Sequence, residues 1–398
     1  MGADARPGEE EVGRSPLVLV GLGTFLFWLS LYLYITILPL HAQAKGASLT
    51  MVGAVVASYA IAQVLLRIPI GVGADLIGKR KPFAAGGALI CALGGFGLAL
   101  APDPWTLFAA RTVTGIGAAA WVAISVLYAA YWRAKRAPMA MATVMALTQV
   151  AQVLATLAGG VLADRLGSES TFYAGFAAGL AATVALLFAR EPASPPRAYS
   201  ASTFMRVLAT PALLVVSVVS ITVQFVTFST NFGFVPVYAG TIGASKADVG
   251  YITTAMFMSS AVGALASGYI VQRAGYRTSI LAAAMVVAIA MALVPAIHDV
   301  TLLGAGQALG GIGRGALNTL LIALALQSAA PAERATAMGV FQAIYAIGML
   351  SGPIVSGAVA DAYGLDSVFY LSAAVAVGGG LLAFASTRLT RPGPSVGN

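Results

Sequence analysis

Between Leu17 and Leu40 the chain runs for 24 residues without a single Asp, Glu, Lys or Arg. A helix needs about 20 apolar residues to cross a bilayer, and comparable runs recur to the C-terminus. Separated by charged or Pro/Gly-rich breaks, twelve of them begin near Leu17, Thr50, Pro82, Pro104, Pro138, Thr171, Pro211, Asp248, Thr278, Thr301, Ala335 and Val368. Within lipid every backbone polar group must be satisfied internally, and a helix does this by itself. The expected fold class is therefore all-α, a membrane protein of twelve transmembrane helices.

Only 9% of the 398 residues are charged, against about 25% in soluble domains, so the bilayer is the chain's first partner. The twelve runs leave short loops and one linker, with no room for a sizeable soluble domain. The first run is too long for the apolar core of a signal peptide and is read as a retained span. The opening MGADAR carries Arg6 where a myristoylation signal wants Ser or Thr. One cysteine, Cys91, excludes an internal disulfide, and His41 and His298 are too few for a zinc cluster. Neither a metal nor a cofactor is expected. The net charge of +8 is read as orientation rather than nucleic-acid binding. With the N-terminus in the cytoplasm, Lys and Arg crowd that side, and only Lys45, Arg165 and Lys246 face the other, whereas acids divide evenly. That is the positive-inside pattern, so both termini are expected in the cytoplasm.

One phrase occurs four times: GVGADLIG from Gly71, GVLADRLG from Gly160, GYIVQRAG from Gly268 and GAVADAYG from Gly357, at intervals of 89, 108 and 89 residues. The Pro/Ser-rich segment from Glu191 accounts for the longer middle interval. Each 89-residue unit holds three spans, an odd number, so successive copies face opposite sides of the membrane. The pattern is that of inverted repeats nested in two parallel halves. The expected divisions are a tail at 1–16, a first half at 17–190, a linker at 191–210, a second half at 211–388 and a tail at 389–398. At an offset of 197 residues Pro39 matches Pro236, Gly53 matches Gly250 and Arg80 matches Arg277.

With these motifs in place the chain resembles the major facilitator superfamily over nearly its whole length. GVGADLIGKRK, Gly71 to Lys81, is similar to that family's signature between spans two and three. RTVTGIGAAA, from Arg111, is similar to a fourth-span signature found especially in proton-driven exporters. TLAGGVLADRLG is a degraded version of the fifth-span exporter motif, without its Gly-Pro pair; such a pair stands instead at Gly352–Pro353. The resemblance, nearest to twelve-span drug/proton antiporters, implies a secondary transporter working by alternating access. It also implies that Gly71, Asp75, Gly78, Lys79 and Arg80 form a cytoplasmic gate, with Asp75 approaching the start of span eleven and the basic residues at headgroups or in cytosol. Two look-alikes are discarded: GADLIGKR lacks the Ser/Thr and the strand of a phosphate loop, and GIGAAA lacks the strand–turn–helix of a dinucleotide site.

The resemblance makes spans one, four, seven and ten the cavity walls, and each carries a stripe at helical spacing. Candidate cavity residues are Trp28 and Tyr32 in span one, Arg111, Trp121 and Ser125 in span four, Gln224, Thr227 and Asn231 in span seven, and Gln307, Arg314 and Asn318 in span ten. Aromatic walls with a few polar fixtures suit an amphipathic substrate. Arg67, Arg111 and Arg314 lie inside spans, where a charge is costly and marks a pathway or a partner. Arg111 is expected to bond carbonyls of span one, Arg67 to snorkel toward the cytoplasm, and Arg314 either to meet substrate or to bond carbonyls or Gln342. Apart from Asp75 at its rim, no span interior holds an acid, so coupling protons would use Asp75, His41, Asp164, Asp361 or a titrating substrate. The expected function is proton-coupled export of small hydrophobic or amphipathic molecules by a functional monomer in a bacterial inner membrane. A carrier or facilitator for an organic anion, anionic lipid or small metabolite and, from another class, a non-transporting membrane sensor stand as alternatives. The spans lack the paired carboxylates or Ser/His set of an intramembrane enzyme.

Overall fold

The computed structural model describes residues 14–132, 136–192, 201–330 and 333–386. Both tails, linker residues 193–200 and the basic residues Arg6, Arg133, Lys135, Arg197, Arg388 and Arg391 lie outside the described residues, as does the side chain of Arg14.

The elements are α1 (Arg14–Tyr32), α2 (Leu38–Ala44), α3 (Leu49–Ile77), α4 (Lys81–Leu100), α5 (Pro104–Ala118), α6 (Trp121–Ala130), α7 (Ala137–Leu166) and α8 (Ser168–Phe188) in the first half. They continue with α9 (Ala201–Leu208) in the linker, then α10 (Pro211–Ser229), α11 (Val235–Thr241), α12 (Lys246–Ala292), α13 (Val300–Gln327), α14 (Arg334–Tyr363) and α15 (Asp366–Ala385). Eleven stretches among the described residues are long and apolar enough to cross a membrane. One contains α12, whose 47 residues would reach roughly 70 Å at helical rise, over twice a bilayer core. Gly275, at φ 73° and ψ 166°, breaks it into two helices, so α12 supplies spans eight and nine and the total is twelve.

Three spans are themselves interrupted. Span one turns at 33–37 between α1 and α2, span four breaks at Ala119–Ala120 between α5 and α6, and span seven passes through a π-helical turn, Thr230–Phe234, between α10 and α11. The interruptions in spans one and seven lie 197 residues apart. So do the positive-φ glycines, which pair as Gly46 with Gly243, Gly78 with Gly275 and Gly167 with Gly364. The last two pairs are the closing residues of the fourfold phrase. Each ends a helix in a backbone region that L side chains rarely enter, which is why the phrase must close on glycine.

The halves meet through two symmetric crossings, α3 with α14 and α7 with the first part of α12. A Cβ on Gly53 would lie 2.8 Å from the Pro353 carbonyl carbon, and one on Gly250 would lie 2.7 Å from the Thr156 oxygen and 2.8 Å from Gly160 Cα. Glycine lets the backbones touch. Both crossings lie near the loops opposite the Lys/Arg-rich ones, here termed the far side and the basic side. There the Asp361 carboxylate accepts from the backbone N–H groups of Leu49 (3.1 Å) and Thr50 (2.8 Å), and the Thr156 and Thr254 hydroxyls are 2.9 Å apart. A carboxylate from one half thus caps the positive end of a helix in the other. The far side is closed.

Candidate functional site

The loop after Gly71 is built for a tight reversal. Gly78 adopts φ 68° and ends α3, and Lys81 begins α4 three residues after it, with Pro82 in its first turn. Here the structure departs from two expectations. Asp75 does not reach the start of span eleven, because its Oδ1 is taken by Arg80 of its own loop at 2.7 Å. Arg80 is buried rather than lying at headgroups, and the Glu191 carboxylate at the end of α8 receives the backbone N–H groups of Arg80 and Lys81. Lys79 is exposed and Gly71 packs near Val122 of α6. On the basic side no ion pair joins first-half and second-half spans among the described residues. The one from the linker, Arg206 of α9 to Glu333 beside α14, belongs to an amphipathic helix that the sequence reading left as linker.

At the centre, aromatic rings from both halves meet. Trp28 lies 5.1 Å from Trp121 and 5.6 Å from Tyr32, and Tyr32 reaches across to Phe232 at 5.9 Å and Phe257 at 5.7 Å. Tyr59 of α3 stacks on Phe228 of α10 at 6.4 Å. Trp28 and Tyr32 are half-buried, and the Trp28 indole N–H has no partner among the described residues. Tilted and edge-to-face pairs of this kind contribute about 0.5–1.5 kcal/mol each beyond their area. They can be exchanged for pairs with a ligand ring at little loss. The sequence stripes contain Trp28, Tyr32 and Trp121; Tyr59, Phe228, Phe232 and Phe257 were not singled out, although Phe228 and Phe232 flank the named Thr227 and Asn231.

The remaining candidates distribute unevenly around this cluster. Ser125 returns its hydroxyl to the Val122 carbonyl and Thr227 to that of Val223. Gln224 is half-buried and Asn318 exposed. Asn231 is buried and accepts from Thr230, while Gln307 is fully buried with neither amide atom partnered.

Arg111 and Arg67 differ from expectation, and Arg314 lacks the structural partners that one of its two alternatives named. Arg111 does not bond span-one carbonyls: its guanidinium carbon sits 5.6 Å from the Tyr34 ring and 4.5 Å from the Tyr59 ring, and Nη1 meets the Thr114 hydroxyl at 3.3 Å. Two ring faces supply the negative potential that carbonyls were expected to give. Arg314 neither bonds carbonyls nor Gln342. Its Nη2 donates to Thr230 Oγ1 at 3.1 Å and Met291 Sδ at 3.4 Å, all within the second half, and it lines a cavity with room for about one water, ≈ 10 Å³, among Val226, Ala284 and Gly380. Arg67 is buried rather than snorkelling, and Nη1 donates across the seam to the Tyr345 hydroxyl at 3.3 Å. It lies ten residues before the end of α3, too deep for its stem to reach the basic side.

Comparison with known proteins agrees with this architecture. The Inner membrane transport protein YajR of Escherichia coli is 30% identical over 156 residues, 38% of this chain and 34% of its own length. The Multidrug resistance protein Stp of Mycobacterium tuberculosis is 30% identical over 159 residues, 39% of this chain and 29% of its own. The alignments thus span about a third of each relative. Among solved structures, a bacterial homolog of the human lysosomal transporter Spinster, inward-facing and occupied, superposes with TM-score 0.81 at 16% identity, covering 95% of this chain and 97% of that one. The nucleoside transporter NupG, as its D323A mutant, gives 0.77 at 17% identity over 94% and 99%. At such identities the likeness is one of fold. The family model described as Major Facilitator Superfamily matches residues 20–238 and 217–398, nearly the entire chain. With its twelve spans in two halves, its paired glycine crossings and that match, this chain belongs to the Major Facilitator Superfamily and is an integral membrane protein.

Proposed function

We propose that the protein exports small amphipathic molecules by alternating access, driven by protons. The observation that carries this reading is the cross-half aromatic cluster, in which Trp28, Tyr32 and Trp121 of the first half face Phe228, Phe232 and Phe257 of the second. It offers a large apolar contact area at the seam between the two rocking halves, where a midplane transport site belongs, and few groups that could orient a sugar. By the positive-inside rule the basic side is cytoplasmic, in a bacterial inner membrane, and the closed far side is external. The present arrangement then faces inward. Rocking would open the far side by parting Asp361 from α3 and close the basic side by freeing Asp75 from Arg80 to meet the start of α14. Asp75 is the acid whose surroundings change most in that exchange, which makes it the residue proposed to carry the coupling proton. The partial likeness to a multidrug resistance protein favours export over uptake.

Inverted membrane vesicles to which amphipathic fluorescent dyes are added from outside test the reading. Saturable, gradient-dependent dye accumulation is expected, with kcat/KM at least about tenfold lower in Trp28→Ala, each 1.4 kcal/mol of lost contact being a factor of ten. Absence of saturable accumulation in wild type, or kinetics unchanged by Trp28→Ala at equal expression, would overturn it.

A further inference from the structure

Arg67 stands where the seam between the halves is held by side chains rather than by backbone. Along α3 the far-side half is sealed against α14 by Gly53 and by the Asp361 cap on Leu49 and Thr50. Tyr59, Gln63 and Arg67 follow at one-turn intervals toward the basic side. Tyr59 is spent on Phe228, and Gln63 donates to the Gly115 carbonyl at 2.9 Å within its own half. Arg67 alone of the three reaches into the other half through a side-chain hydrogen bond.

Among the described residues nothing neutralises it. Arg67 is only 6% exposed, its Nη1 has a single neutral partner there, the Tyr345 hydroxyl at 3.3 Å, and its Nε has none. The guanidinium carbon is 5.9 Å from the Tyr345 ring centroid, at the edge of useful cation–π range. Asp75, two turns further along α3, is held by Arg80. Arg111 and Arg314 are fixed inside their own halves by rings, hydroxyls and a thioether, whereas Arg67 depends on a tyrosine that must withdraw when the halves rock. Tyr345 packs edge-on against Phe341 at 5.3 Å and lies against the same hydrophobic cluster as Trp28 and Tyr32. The guanidinium therefore borders the aromatic cluster, with Nη1 on Tyr345 and the Nε–Nη2 edge facing away from that contact. That edge is the geometry a carboxylate or sulfonate takes up through two parallel hydrogen bonds.

We propose that Arg67 and the Tyr345 hydroxyl form the recognition point for the anionic group of the substrate, which is an amphipathic organic monoanion whose ring-bearing body lies against Trp28 and Tyr32. The anion supplies the counter-charge that this buried guanidinium lacks, on its Nε–Nη2 edge, while Nη1 stays on the Tyr345 hydroxyl. The inference rests on the transport reading above and narrows it from amphipathic molecules in general to anionic ones.

The test uses three probes with one aromatic body and a carboxylate, a carboxamide or an ammonium group, measured in proteoliposomes of the purified full chain. Binding is followed separately by quenching of tryptophan fluorescence. Wild type is expected to take the carboxylate with the lowest KM. In Arg67→Gln the carboxylate-to-carboxamide ratio of kcat/KM should fall at least about tenfold, chiefly through KM, with Arg67→Lys falling between and Tyr345→Phe showing a smaller loss of the same kind. Equal losses for both probes in Arg67→Gln would make the residue structural and overturn the proposal, as would a wild-type preference for the ammonium probe. Flux of all three without discrimination overturns the anion inference alone. If no probe is carried, the transport reading fails, and the binding arm still decides: quenching by the carboxylate that Arg67→Gln abolishes supports the recognition point, and quenching unaffected by the substitution refutes it.

Discussion

Gly53→Ala is the smallest change that should move the transporter between its states. The added Cβ would lie 2.8 Å from the Pro353 carbonyl carbon and closer still to its oxygen. Both are backbone atoms that no rotamer change can clear, so α3 and α14 must separate by something on the order of 1 Å, the tolerance of a close-packed interior being smaller than that. Overpacking of this kind raises the free energy by about 1–3 kcal/mol, and it acts only where the two backbones touch, on the closed far side. The separation also stretches the 3.1 and 2.8 Å bonds from Leu49 and Thr50 to Asp361. The equilibrium between far-side-closed and far-side-open forms should therefore shift by roughly 5- to 150-fold toward open. Spin labels at K45C and K246C, on far-side loops of opposite halves, report it by pulsed dipolar distance measurement, with the buried Cys91 replaced by alanine. Gly86→Ala is the control, since a Cβ there meets nothing within 4 Å and shares the gain in helix propensity. A long-distance population should grow in Gly53→Ala and not in Gly86→Ala. Identical distributions in both, with protein folded, would refute the argument that this crossing sets the far-side gate.

Three further outcomes follow from the same contacts. Asp361→Asn keeps the side chain's size but removes the charge that favours a helix N-terminus, so the same spin labels should show a shift toward open of a few-fold, smaller than for Gly53→Ala; no shift would mean that the cap is incidental. Arg314→Met should leave thermal stability unchanged or raise it, because the guanidinium keeps Nε and Nη1 unpartnered and a buried charge exchanged for a well-packed apolar chain is often neutral or better; a loss above about 2 kcal/mol would reveal an anionic partner. Burial holds the His41 imidazole below its ordinary value of 6.5, with Glu169 opposing and Lys45 and Lys246 assisting. The unfolded chain therefore takes up this proton first, and stability is lost as pH falls through 6.5 and stops falling below the folded value. The melting temperature should drop between about pH 7 and pH 5 in wild type and less in His41→Gln; parallel curves would exclude His41 as the cause.

Much of the fold is legible because membrane packing writes itself in small residues. The fourfold phrase ends on glycine wherever the chain needs a positive φ, and Gly53 and Gly250 recur because the two half-to-half crossings are the same contact twice. The interruptions of spans one and seven have a mark in the sequence, Pro39 and Pro236, each of which lacks a donor for the carbonyl four residues back, Ile35 and Phe232, inside the broken turn; the break at Ala119–Ala120 in span four has none. The site is half legible. Helical spacing identifies Trp28, Tyr32 and Trp121 as one surface, but it cannot say how a helix is rotated, so Arg314 and Gln307 share a stripe with Asn318 although they are buried and Asn318 is exposed. The expectation that Arg67 snorkels fails because ten residues separate it from the end of α3. The signal that could have found it is the one-turn ladder Tyr59, Gln63, Arg67 leading to Gly71, which marks a continuous polar edge on α3.

Coupled transport is tested most directly by flux in proteoliposomes carrying a trapped pH dye, with an aromatic carboxylate as substrate and an imposed proton gradient. Saturable substrate movement accompanied by opposite proton movement is expected, both collapsing with the gradient and both lost in Asp75→Asn protein that inserts normally. Substrate movement that ignores the gradient, with no proton signal and full activity in Asp75→Asn, would contradict coupled transport.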